Sequence, residues 1–424
     1  MLIERLGRLG DTSTVLRAVA DAAERRDTAP PAALTGDWFG SRAVIAPSLA
    51  AEPAGAVFDI APGVGTGGPA GPVGGGWFGY LSYPDPGADG RGPRIPEAAG
   101  GWSDCVLRQD RDGVWWYESL SAAALPGWLR DAARAPVARR PYRLAWGKAD
   151  RDRHRWGVHE CLAAIAAGEV YQACVCTQFT GELDGEPIDF FIDAVRRLAP
   201  AKAAFLAGRW GAVASLSPEL FLLRRGTTVM SSPIKGTVPL SADPAELRSS
   251  VKDVAENIMI VDLVRNDLGR VAVTGSVRVP ELLTVRPAPG VWHLVSTVSA
   301  QVPVELPMTE LLDAAFPPAS VTGTPKLRAR QLLREWEPVR RGVYCGTVGL
   351  ASPVAGCELN VAIRTVEFGG HGSAGSAVSA VLGVGGGITA DSDPDREWDE
   401  CLHKAAPIVG LPACAQDGVV ELTP

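Results

Sequence analysis

Apolar and polar positions change period repeatedly along this chain, and each change marks an element. Residues 156–167 carry apolar side chains at helical spacing. Residues 170–180 alternate, with Tyr171, Ala173, Val175 and Thr177 on one side and Gln172, Cys174, Cys176 and Gln178 on the other, as in a strand. Ser217-Pro218-Glu219-Leu220-Phe221-Leu222 borders another strand. Residues 244–268 predict a long helix whose apolar stripe includes Ile258, Val261, Val264 and Leu268. Residues 291–302 alternate as a strand. Thr324 is expected to cap a helix that has Pro325 at its first position and runs to about Trp336. Residues 343–350 and 358–368 read as strands, 377–388 as a strand followed by a glycine turn, and 393–406 as the last helix. Long strands followed by long helices, with no internal repeat, predict an α+β architecture.

The first 145 residues are rich in Ala, Gly and Pro. Residues 63–76 hold eight glycines and match a dinucleotide fingerprint at Gly63-x-Gly65-x-x-Gly68. That fingerprint needs a helix opening at the glycines, and Pro69 and Pro72 forbid one, so a flexible loop is expected. An Arg- and Pro-rich connector follows at 135–152. The expected division is an N-terminal subdomain at 1–145, a catalytic region at 150–410 and a tail at 411–424.

Composition narrows the function. The 424 residues are 46% apolar and 21% charged, with 41 basic and 48 acidic residues and a net charge of −7. No long basic stripe is present, so nucleic acid is excluded as a partner. No apolar run approaches the roughly 20 residues that span a bilayer. The start, Met-Leu-Ile-Glu-Arg, lacks a signal-peptide pattern, and a cytoplasmic location is expected. Eight cysteines without a Cys-x-x-Cys pair suit reduced, packed thiols better than a zinc site.

Pro233-Ile234-Lys235-Gly236-Thr237 reads as a turn carrying a lysine. That lysine is either a solvated surface group or a nucleophile. The second role requires its pKa to fall from about 10.4. On the last helix Glu397, Glu400 and Lys404 share one face, as a charged solvent face or as a two-carboxylate seat for Mg²⁺ with a lysine beside it. Glu256 lies in an apolar helix stretch, where a carboxylate must be paired, protonated or bound to metal. His293, in an apolar strand, is a satisfied core group or a catalyst. Arg364 on an inward strand calls for an anion, and Gly385-Gly386-Gly387, expected just after a strand, permit close backbone approach. This inventory suits a small polyanion with two carboxylates.

Gly168-Glu169-Val170-Tyr171-Gln172, Ser217-Pro218-Glu219-Leu220, Pro233-Ile234-Lys235-Gly236-Thr237 and Ala255-Glu256-Asn257-Ile258-Met259-Ile260-Val261-Asp262 begin a series of recognisable segments. His293-Leu294-Val295-Ser296, Gly323-Thr324-Pro325-Lys326, Ile363-Arg364-Thr365 and Gly385-Gly386-Gly387-Ile388-Thr389-Ala390-Asp391-Ser392 continue it in order. With them the chain resembles the chorismate-utilising enzymes, most closely the large subunits of aminodeoxychorismate synthases. The resemblance implies an α+β sandwich of two large, mostly antiparallel sheets flanked by helices. It implies Mg²⁺ held by Glu256, Glu397 and Glu400. Substrate would be held by Tyr344, Arg364, Lys404, Gln172 and the amides of Gly236, Gly385 and Gly387. It implies Glu219 as general acid and His293 as an active-site histidine of undefined role. Water-adding relatives carry a lysine where this chain has Gln172, which points to ammonia as nucleophile. Anthranilate synthases carry a small residue at the position of Lys235, and aminodeoxychorismate synthases a lysine. The implied reaction turns chorismate and ammonia into 4-amino-4-deoxychorismate through a covalent Lys235 intermediate, toward para-aminobenzoate. Anthranilate synthase component I is the alternative. No Gly-x-Cys-x-Gly glutaminase motif occurs, so ammonia is expected from a separate glutamine amidotransferase subunit. Some relatives bind tryptophan in the N-terminal part, and these residues do not locate such a pocket.

Overall fold

A computed structural model of the chain describes residues 1–60, 71–87, 89–369 and 377–411. Residues 63–70 of the expected loop at 63–76 lie outside the described residues, as does the tail beyond 411.

Alternation along single strands explains the layering. In the strand Lys202–Gly208, Ala203 and Phe205 enter one hydrophobic cluster while Ala204 and Leu206 enter another. Successive side chains point to opposite faces, so a strand apolar at every position must be covered twice. One face packs on the helices Thr12–Arg25, Pro187–Leu198 and Pro394–Val409. The other faces a second sheet, which contributes Phe78, Tyr80, Val348 and Leu350 to the shared core. That second sheet is covered in turn by the helices Val251–Gly269 and Met308–Ala315. The result is an α+β sandwich of two large antiparallel sheets.

The first sheet runs in the order Leu2–Gly7, Trp115–Ser119, Cys105–Gln109, Ser41–Ala46, Ala32–Trp38, Lys202–Gly208, Gly211–Ser217, Thr365–Phe368, Val378–Ile388, Gln172–Asp184 and Gly323–Thr324, with Arg143–Trp146 beside Gln172–Asp184. The second runs Ile234–Pro239, Val291–Gln301, Thr228–Ser232, Leu220–Arg225, Gly356–Asn360, Thr347–Ser352, Gly76–Leu81, Ala98–Ser103 and Glu52–Pro53, with Arg278–Ala288 beside Val291–Gln301. Strands from before residue 120 therefore form a contiguous block at one end of each sheet, and Arg143–Trp146 sits apart from them beside Gln172–Asp184.

Several expected elements differ. The long helix is broken at Ser250: Ala245–Ser249 ends there, and Ser250 caps Val251–Gly269 by accepting from the Asp253 amide at 3.2 Å. Ile258 is 47% exposed and leaves the apolar stripe. The single strand expected at 358–368 is two, Gly356–Asn360 and Thr365–Phe368, in different sheets. The strand expected at 343–350 starts at Thr347. Thr324 is not a side-chain cap: it pairs in a short strand, and the helix Lys326–Trp336 begins after Pro325 with no capping side chain. Within the expected connector, Arg143–Trp146 is a strand and a helix opens at Arg151.

Candidate active site

The site lies where the ends of the two sheets meet, and the chain crosses between sheets beside it. Gly211–Ser217 belongs to the first sheet and Leu220–Arg225 to the second, so Glu219 sits on the crossing. Arg364 sits on the return crossing, between Asn360 and Thr365, with φ 50°. It was expected on a strand, and the change of sheet is what removes it from one. The crossings are tied together: the Val361 amide donates to the Glu219 carbonyl at 3.0 Å and the Leu216 amide to the Arg364 carbonyl at 3.0 Å.

Glu219 is 3% exposed. Ser320 Oγ donates to its Oε1 at 2.7 Å. Burial pushes its pKa up to about 7, against the pull of that hydrogen bond and of the Lys235 charge. A carboxyl poised there at neutral pH is suited to general-acid work. A narrow cavity beside it is also lined by Ser231, Asp267 and Ser320. Burial also lowers the pKa of Arg364, although Glu219 pulls the other way.

Lys235 does not lie in a turn. It is on the strand Ile234–Pro239, next to Gly236 at φ 86°. Any Cβ at Gly236 would press on Leu247 and Asp253 at 3.1 Å, so glycine alone lets this strand run close under the helices. The Lys235 ammonium is buried and stands 3.5 Å from Glu256 Oε1. Burial, the largest single influence, favours its neutral form, but Glu256, Cys174 and Glu219 together outweigh it and hold the pKa above the ordinary lysine value. His293 pairs across the strands with Thr237, and its Nδ1 is 2.8 Å from Thr237 Oγ1. Burial first, then Arg364, pushes His293 down to about 4, so the ring is neutral. In this structure it supports the strand that carries Lys235.

The glycines lie inside the strand Val378–Ile388, not after it, paired with Cys174, Val175 and Cys176. Their missing side chains make room for charges. A Cβ at Gly386 would lie 3.1 Å from Glu397 Oε2 and 3.5 Å from Glu400 Oε1. At Gly387 it would lie 2.0 Å from Glu256 Oε1 and 3.3 Å from Lys235 Nζ. The three glutamates thus converge on two neighbouring residues. Asn257 fixes the helix that brings Glu256: its Nδ2 donates to the Leu294 carbonyl at 3.3 Å and its Oδ1 accepts from Ser296 Oγ at 2.5 Å.

Each glutamate faces a lysine. Lys404 is 2.7 Å from Glu400 Oε1 and also donates to the Gly385 carbonyl at 2.8 Å. Lys252 is 2.9 Å from Glu397 Oε1 and 4.0 Å from Glu400 Oε2. Burial raises the Glu400 pKa, but Lys404 and Lys252 bring it below the ordinary carboxylate value. Among the described residues no three His, Cys, Asp or Glu side chains are already arranged as a metal cage. The donor set nevertheless fits a hard divalent ion. Glu397 is 2% exposed, and its Oε2 is buried with no hydrogen-bond partner. An orphaned carboxylate oxygen beside a second carboxylate is what Mg²⁺ would satisfy.

Gln172 and Thr324 are directly paired across strands. Gln172 Oε1 and Thr324 Oγ1 are both buried without partners, so this pair offers two acceptors to a polar ligand. Tyr344 is buried, its ring lying over Gly383 and its hydroxyl 3.8 Å from Cys176 Sγ. Sequence reasoning passed over Lys252, Ser320 and the Lys326–Asp267 pair. Only Lys252 had a local signal, its place four residues before Glu256.

The fold and this group of residues define a class. The sequence profile of the chorismate binding enzyme family matches residues 67–410, and the chain belongs to that family. Aminodeoxychorismate synthase component 1 of Klebsiella aerogenes is 39% identical over 324 residues, 73% of this chain and 69% of its own length. The component 1 of Escherichia coli (strain K12) is 36% identical over 323 residues, with the same shares. Anthranilate synthase component I from Streptococcus pneumoniae TIGR4 has a similar structure, with TM-score 0.66 and 25% identity over 80% of this chain and 81% of that one. The menaquinone-specific isochorismate synthase of Escherichia coli shares the fold, with TM-score 0.68 at 18% identity over 96% and 94% of the two chains. Among the described residues no helix is long and apolar enough to cross a membrane.

Proposed function

We propose that this chain is the chorismate-binding component of an aminodeoxychorismate synthase, joining ammonia to ring position 4 of chorismate. The observation that carries the reading is Lys235: a buried amine between Glu256 and the glycine strand, at the position where a lysine separates this chemistry from anthranilate formation. The relatives named aminodeoxychorismate synthase component 1 support it.

Glu256, Glu397 and Glu400 would hold Mg²⁺, which would anchor the ring carboxylate of the substrate and offset the negative charge that keeps Lys235 protonated. Arg364, Lys404 and the amides of Gly236, Gly385 and Gly387 would take the substrate's carboxylates, with Tyr344 lining the site. Neutral Lys235 Nζ then bonds to ring C2 while the C4–O bond breaks and the two ring double bonds shift. Glu219 gives its proton to the departing hydroxyl, which leaves as water. Ammonia next bonds to C4, the C2–N bond breaks, and Lys235 returns to the free amine. The proton that the incoming ammonia sheds restores Glu219. Gln172 and Thr324, with their free acceptors, are suited to hold the ammonia.

Ammonia is supplied by a separate glutamine amidotransferase subunit in this reading, and the product feeds para-aminobenzoate. The test is product identification by mass spectrometry from chorismate, Mg²⁺ and ammonium. Aminodeoxychorismate, with the enolpyruvyl group retained, is expected. Fluorescent anthranilate with release of pyruvate would overturn the reading.

A further inference from the structure

Lys252 has carboxylates for its charged partners, Glu397 and Glu400, two of the three glutamates assigned above to the metal. It differs from its two neighbours. Lys235 is only 12% exposed, and Lys404 is tied to the Gly385 carbonyl as well as to Glu400. The Lys252 side chain is 40% exposed, while Glu397 beside it is 2% exposed. The lysine can therefore withdraw to water and the carboxylate cannot. Glu397 is also held independently: Ser392 Oγ donates to its Oε1 at 2.6 Å. With Lys252 removed, Oε1 keeps that partner, and Oε2, already buried and unpartnered, still points at the space beside Gly386.

We propose that Lys252 is a place-holding cation for the divalent-metal seat, pairing with Glu397 and Glu400 when no ion is bound and swinging to solvent as the ion enters. This rests on the reading that Glu256, Glu397 and Glu400 hold the metal. The physical reason is that a buried carboxylate without a counter-charge is costly, so the seat needs a cation in both states. A flexible lysine stem supplies one reversibly. Competition from that lysine weakens metal binding and keeps the seat folded without metal.

Mn²⁺ is the probe, with its free aqueous ion counted by electron paramagnetic resonance in titrations of the full-length protein without chorismate. The unaltered protein is compared with Lys252→Met and Glu397→Gln. Lys252→Met should bind Mn²⁺ about fivefold more tightly, the upper scale of releasing one partly exposed ion pair. Its metal-free melting temperature should fall and should recover when Mn²⁺ is added. Glu397→Gln should weaken Mn²⁺ binding at least about tenfold. If Lys252→Met binds Mn²⁺ equally or more weakly while Glu397→Gln still loses affinity, the place-holder inference is wrong and the seat stands. If Glu397→Gln changes nothing, the seat itself is wrong and the inference goes with it.

Discussion

Lys235 Nζ stands 3.5 Å from Glu256 Oε1, with the two side chains 12% and 8% exposed. This pairing sets the chemical problem of the site. The same carboxylate that positions the lysine also favours its charged, unreactive form. In the proposed mechanism, reactivity therefore depends on Glu256 finding another cation, and that links the proposed nucleophile to the proposed metal seat.

Replacing Lys235 tests the nucleophile. Lys235→Ala should lower aminodeoxychorismate formation by roughly a thousandfold or more, as removal of a covalent catalyst does elsewhere. Chorismate binding, followed by intrinsic tryptophan fluorescence in the presence of Mg²⁺, should survive. Trapping of labelled chorismate on the protein, detected by mass spectrometry at the peptide holding Lys235, should vanish in the variant. Full turnover by Lys235→Ala would end the covalent mechanism.

Glu219 makes two predictions with one substitution. Glu219→Gln should reduce kcat by roughly 10²–10⁴-fold, the usual contribution of a general acid. Its stability effect has a defined sign. The folded-state pKa is raised from 4.5 to about 7, so the fold favours the protonated acid. That contribution is complete below about pH 4.5 and is lost as pH rises through about 7, a change of up to about 3 kcal/mol. Glutamine cannot lose the proton. Urea denaturation should therefore show the variant gaining stability relative to the unaltered protein between pH 5 and pH 8. A difference that does not vary with pH would remove the raised pKa.

Much of this arrangement is legible in the sequence, for local reasons. Glu397, Glu400 and Lys404 share a helix face by spacing alone, and the three glycines announce that something approaches a backbone closely. What the sequence hides is long-range. Lys252 meets Glu397 across 145 residues, and no pattern within either helix reveals it. The sheet crossing before Arg364 looks like continuous strand because Val361, Ala362 and Ile363 are apolar and suit a strand of either sheet. The Thr324 cap fails because Thr324 is drawn into a strand pair with Gln172. A tertiary pairing thereby overrides a local preference.

The glycine strand separates structural from functional need. At Gly387 the nearest atoms to an added Cβ would be the movable end of Glu256, at 2.0 Å, and Lys235 Nζ at 3.3 Å. Gly387→Ala should fold with little change in melting temperature yet bind Mn²⁺ at least about tenfold more weakly, since Glu256 is pushed aside. At Gly385 the Cβ would meet the Val175 carbonyl and Cys176 Sγ, both at 2.6 Å, and backbone cannot step away. Gly385→Ala should cost about 1–3 kcal/mol of stability by overpacking. Calorimetry and Mn²⁺ titration on the two variants should give opposite orders of severity.

Lys326 and Asp267 form the buried joint behind Glu219, 2.6 Å apart, and Lys326 also donates to the carbonyls of Ala315 and Pro317 at 2.9 Å each. Burial drives both toward neutrality, raising Asp267 to about 6 and lowering Lys326. Removing one partner leaves the other charge stranded in the interior. Asp267→Asn or Lys326→Met should each destabilise the protein by about 3–5 kcal/mol. The double variant should recover part of that loss, because no unpaired charge remains. Because the raised Asp267 pKa stabilises the fold below about pH 3.8 and ceases to do so as pH rises through about 6, the unaltered protein should gain on Asp267→Asn as the pH is lowered from 7 to 5. A double-mutant cycle in urea at pH 7 and pH 5 measures both effects, and strictly additive single losses would show that the pair does not act as a unit.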